Sequence, residues 1–125
     1  MADIERITLY SYNAAGTNTF TQVTANPTVL YHVSVSHNGG SVGYLQIYDN
    51  GTQQAGAGTP DFAIAVHSGT AAAGPPSFEA TRDISYGAYG RRMNGGLSYL
   101  WAAGATGTAA HGANAVVDIT YRGSI

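Results

Sequence analysis

Apolar residues in this chain recur at every second position in short runs, and each run is closed by Gly, Pro, Asn or Asp. A period of two marks a strand with one buried face, and the 3.6-residue period of an amphipathic helix is hard to find. The clearest run is Val29 to Ser36, with Val29, Tyr31, Val33 and Val35 on one face and His32, Ser34 and Ser36 on the other. His37-Asn38-Gly39-Gly40 is a turn signal, and Gly43 to Tyr48 follows it, so the pair reads as a hairpin. Phe62, Ile64 and Val66 alternate in the next run, and Phe78, Ala80 and Ile84 mark a short strand. Leu97, Tyr99 and Trp101 share a face of another, and Val117, Ile119 and Tyr121 a face of the last. Ile4 to Tyr12 and Phe20 to Thr24 complete the set upstream.

Thr52 to Pro60, Gly69 to Pro76 and Gly104 to Gly112 read as loops, and Tyr86 to Gly96 as a long glycine-rich and aromatic segment. About eight strands separated by turn-rich loops predict an all-β fold, an antiparallel β-sandwich of jelly-roll type. At 125 residues the chain is expected to be one domain over 1–125, with 1–24 as an N-terminal arm or edge strands.

Composition changes what the surface is expected to do. Only 10% of residues are charged, there is no lysine, and net charge is −2. That balance gives no footprint for nucleic acid, and no apolar run approaches the ~20 residues of a membrane helix. The first residues, Met1 to Arg6, do not form the basic-then-apolar pattern of a secretory signal. A surface poor in Lys and Glu and rich in Tyr and Arg matches the composition of protein contact patches.

Candidate chemistry is sparse. With no cysteine, neither a disulfide nor a thiolate zinc site can form. His32, His37, His67 and His111 show no ligand spacing and read as surface or edge-strand histidines. The seven acidic residues are scattered, and no Gly-x-Ser-x-Gly elbow is present. Gly87-x-x-Gly90 lacks the Lys-Ser/Thr ending of a phosphate loop, and Asp49-Asn50-Gly51 lacks the remaining ligands of a calcium loop. The expectation is a protein without catalytic activity, metal or cofactor. The segment from Tyr86 to Met93 stands out instead, because Tyr, Arg and Met are enriched at interface cores. Tyr86, Tyr89, Arg91, Arg92 and Met93 are therefore the candidate protein contacts, with Ile4 and Arg6 of the N-terminal segment as a second set. A solvated loop that caps the sandwich, or a sugar-stacking groove, would use the same tyrosines.

The run from Tyr31 to Asp49 resembles a block in small virion proteins of tailed bacteriophages, an "x-V-x-V-S-N" strand followed by one ending "Y-L-K-L-Y-D". Phe62 to Val66, Gly95-Gly96-Leu97-Ser98-Tyr99 and Val116 to Arg122 are similar to later parts of that pattern, so the likeness runs from Val29 to Gly123. Tyr86 to Asn94 looks enlarged against it, and Ala2 to Thr24 falls outside it. The resemblance implies a capsid decoration or cement protein: a homo-trimer on the major capsid protein, at the outer surface of a virion made in the host cytoplasm. A carbohydrate-binding attachment module and a tail or baseplate component are the alternatives.

Overall fold

The computed structural model describes residues 8–14, 20–51, 59–69 and 80–122. Nine strands lie among them: β1 (Thr8–Ala14), β2 (Thr21–Thr24), β3 (Thr28–His37), β4 (Gly43–Tyr48), β5 (Phe62–Val66), β6 (Ala80–Ser85), β7 (Arg91–Met93), β8 (Leu97–Ala102) and β9 (Ala115–Arg122). They form two antiparallel sheets, one in the order β1-β9-β3-β6 with β7 added beside β3, the other β2-β8-β4-β5. With the short β7 set aside, β1 to β4 alternate between the sheets, β5 pairs with β4 in the same sheet, β6 returns to the first sheet, and β8 and β9 each insert between earlier strands. That interleaving is the double Greek key of a jelly roll.

The core fills the space between the sheets. Val33, Val35, Leu45, Ile47, Val66, Leu97, Val117 and Ile119 are fully buried, with Tyr99 and Trp101 almost so. Each such aliphatic side chain contributes about 1.5–3 kcal/mol against exposure, offsetting the entropy lost in ordering the chain. A second layer lies on the outer face of β4 and β8, where Tyr48, Leu100 and Ala102 pack with Phe20.

The expected β3–β4 hairpin is not formed. β3 pairs with β6, β7 and β9, while β4 pairs with β5 and β8 in the other sheet. Residues 38–42 thus arch across the sandwich. As an arch they set the apolar face of β3 against that of β4, whereas a hairpin would have left both faces on one sheet without a cover. The alternation along β3 also changes phase. The register with β9 shifts between Leu30 and His32, so Leu30 is fully buried and Tyr31 half-buried. One extra residue at a bulge reverses the facing of everything before it. Residues 91–93, expected within a loop, add to β3 as β7. Phe78 lies outside the described residues.

The 103–114 loop is not free. Gln46, wholly buried on the outer face of β4, donates through Nε2 to the carbonyls of Gly104 (2.9 Å) and Gly107 (2.8 Å). Tyr48 Oη donates to Gln46 Oε1. Burial raises the Tyr48 phenol above the ordinary value of 10.0, and burial likewise raises Tyr86, where Arg91 acts in the opposite sense. A raised folded-state value means the native state holds its phenol protons more tightly than the unfolded chain. That stabilisation is complete below about pH 10 and is lost as pH rises through the folded values. Denaturation midpoints are therefore expected to fall between about pH 9 and about pH 11, with tyrosinate absorbance rising alongside unfolding. A midpoint that stayed flat over that interval would contradict this.

Candidate contact surface

The turns before β3, before β5 and after β6 gather at one end of the sandwich, and the Tyr86–Met93 segment lies there. Tyr86 is held by its backbone, whose N–H donates to the Tyr31 carbonyl at 2.9 Å. Its ring packs edge-on against Phe62, with centroids 5.8 Å apart. A tight turn follows, closed by the Gly90 N–H on the Gly87 carbonyl at 3.3 Å, and both glycines have positive φ. That turn lifts Tyr89 clear of the fold, leaving it 95% exposed.

Arg91 is engaged within the chain. Its Nη2 donates to Asp61 Oδ2 at 2.8 Å, and its guanidinium lies 4.3 Å above the Phe62 ring. Both partners of the ion pair are about two-fifths exposed, so the pair positions Arg91 more than it stabilises the fold. Arg92 is exposed, with Nε donating to Asn94 Oδ1 at 2.7 Å. Met93 is fully buried and belongs to the core, because β7 alternates like any strand and Met93 pairs with the inward Thr28. Met93 is therefore a core residue and not a surface contact. Ile4 and Arg6 lie outside the described residues.

The structure therefore brings together Tyr86, Tyr89, Arg91 and Arg92, and adds Tyr31, Asp61 and Phe62, which the sequence did not point to. Those three come from other turns and strands, and nothing local to them signals the meeting. The result is an aromatic end with one projecting tyrosine and two arginines, one fixed by Asp61 and one turned to solvent. Tyrosine and arginine of this kind are the residues that anchor protein interfaces.

His37 departs from the surface or edge-strand expectation, whereas His67 is exposed as expected. His37 is 3% exposed and lies on β3, which is flanked by β6 and β9 and so is not an edge strand. It packs at the opposite end of the sandwich against Trp101 and His111. Among the described residues no cluster of three His, Cys, Asp or Glu could hold a metal ion.

The strand order defines the class of the domain as a jelly roll. No family model matches the chain, and no curated protein matches it. Among solved structures it is similar to the tobacco streak virus coat protein at 12% identity, over 93% of this chain and 85% of that one, with a TM-score of 0.40. A likeness that distant carries no argument about this chain's role.

Proposed function

We propose that the protein is a structural component of a virion, a decoration or cement protein that binds the major capsid protein on the outer shell of a bacteriophage head. The observation that carries this reading is a jelly roll, a fold recurrent in viral capsids, that presents Tyr89, 95% exposed, beside the exposed Arg92. The low charge and the block resemblance point the same way. A homo-trimer at a threefold position would let several modest contacts act together through effective concentration. The domain needs no catalytic group, metal or cofactor for this task.

Co-sedimentation of the protein with undecorated shells, together with the melting temperature of those shells, tests the role. Binding accompanied by a higher shell melting temperature is the expected result. Tyr89→Ala is expected to leave the stability of the isolated domain within about 0.5 kcal/mol, since the ring touches little. The same change should weaken shell binding by about 1 kcal/mol or more. Undiminished binding would remove this end of the sandwich from the interface. The exposed Tyr89 ring also favours a second reading, a sugar-stacking attachment module, because jelly rolls serve as lectins too. A glycan array separates the two, with selective binding supporting attachment and a blank array supporting the shell.

A further inference from the structure

We infer that the end of the sandwich opposite Tyr89 is an acid-operated latch, in which His37 and His111 hold three loops closed only while both rings are neutral. The segments are 38–42, 67–69 and 103–114. His37 Nδ1 accepts from the Gly39 N–H at 3.1 Å, so its proton sits on Nε2, which donates to the His67 carbonyl at 2.9 Å. One ring thus ties the first loop to the second. His111 repeats the arrangement. Its Nδ1 accepts from the Ala113 N–H at 3.3 Å, and its Nε2 donates to the Ser41 carbonyl at 3.0 Å. That ring ties the third loop to the first. The Gly69 N–H on the Gly39 carbonyl, at 2.8 Å, adds a direct bond between the first two.

An imidazolium carries N–H on both nitrogens. In either ring, a proton added at Nδ1 would face the backbone N–H that nitrogen now accepts from, so a bond breaks and two donors oppose each other. The rings also meet edge to face with centroids 4.9 Å apart, so charging both sets like charges in contact. The neighbours offer no relief. The third titratable group is His67, whose Nδ1 lies 3.0 Å from the Ser68 carbonyl. On β6, Arg82 shares the inward register of Ala80, the partner of His37, and its Nη1 donates to the Ala65 carbonyl. On β9, Asp118 pairs with Ser34, in the register that faces away from His37. Residues 38–42 and 103–110 contain no charged residue, and β8 contains none. Glu79, next to Ala80, lies outside the described residues.

Acid should therefore open this end while the strands stay paired. The only tryptophan of the chain reports it directly, since Trp101 lies 5.0 Å from the His37 ring and 4.9 Å from the His111 ring. As pH is lowered from about 8 to about 4, its emission should shift to the red. Over the same interval, exchange protection of the Gly39, Gly69 and Ala113 amides, corrected for intrinsic rate, should drop about tenfold or more. Protection at Leu45 and Ile47, in mid-sheet, should hold. His111→Gln, at the half-buried position, should blunt both changes. Unchanged protection at the three loop amides would overturn the latch, as would a His111→Gln protein that responds to acid like the parent. Equal loss at Leu45 and Ile47 would overturn it too, as global unfolding.

Discussion

Replacing Gly96 with alanine is expected to destabilise the fold by about 4 kcal/mol or more, among the largest effects a single methyl group produces. Gly96 has φ of +116°, a region that L side chains rarely enter, and strain there costs about 1–3 kcal/mol by itself. Space is lacking as well. A Cβ at this position would lie 2.7 Å from the Gly51 nitrogen, 2.8 Å from the Thr24 carbonyl oxygen and 2.9 Å from the Gly51 Cα. All three are backbone atoms, so no rotamer change relieves the clash. The turns after β2, β4 and β7 cross at this point, fixed by the Gly51 N–H on the Gly95 carbonyl and the Gly95 N–H on Asp49 Oδ1. Against a typical domain stability of about 5–15 kcal/mol, the variant should lose a large share of its margin and denature at a much lower temperature or denaturant concentration. Gly40→Ala is the control, because a Cβ there meets nothing within 4 Å and the change should stay within about 0.5 kcal/mol. Equal denaturation midpoints for the two variants would refute the crossing as a point of strain.

The second large effect concerns Trp101, which is 1% exposed near the C-terminal end of β8. Trp101→Ala should cost about 3–5 kcal/mol, the range for deleting a large buried aromatic. It also removes the Nε1 donation to the Ala113 carbonyl at 2.8 Å, one of the ties on the 103–114 loop. The indole lies directly over Gly43. A Cβ on Gly43 would fall 2.1 Å from Trp101 Cη2 and 2.4 Å from Cζ2. β4 cannot withdraw, because Gly43 pairs with Val66 on one side and Tyr44 with Ala102 on the other. Gly43→Ala should therefore cost about 1–3 kcal/mol by overpacking. Trp101→Phe trims the ring atoms that collide, so the double variant should recover part of the loss, with a coupling of about 0.5–3 kcal/mol. Strictly additive costs in the cycle would show that the two residues do not share this space.

Much of the strand layout was legible because alternation is local. Ile64 and Val66, Leu97, Tyr99 and Trp101, and Val117 and Ile119 all face inward as their spacing requires. The candidate surface was half legible. Tyr89 projects and Arg92 is exposed, as aromatic and basic residues in a glycine-rich segment suggest. Met93 turns inward because three residues of that segment form a strand, and a strand that short leaves too few alternating positions to be recognised. Arg91 meets Asp61 and Phe62 across 30 residues of chain, a contact that no window of sequence contains.

The sequence by itself determined that this protein is built of strands, where most of them run, and, for most of them, which face they bury. Each of those properties depends on neighbours one or two positions away. Only the tertiary structure decided the partners. β3 and β4 could pair locally, but burying the apolar faces of both requires them to lie in opposite sheets. The same arch carries the end of β3 to the second and third loops, and so turns His37 from an expected surface residue into a buried tie between them. Pairing and burial of that kind are set by which surfaces must exclude water together, a property of the whole fold rather than of any segment.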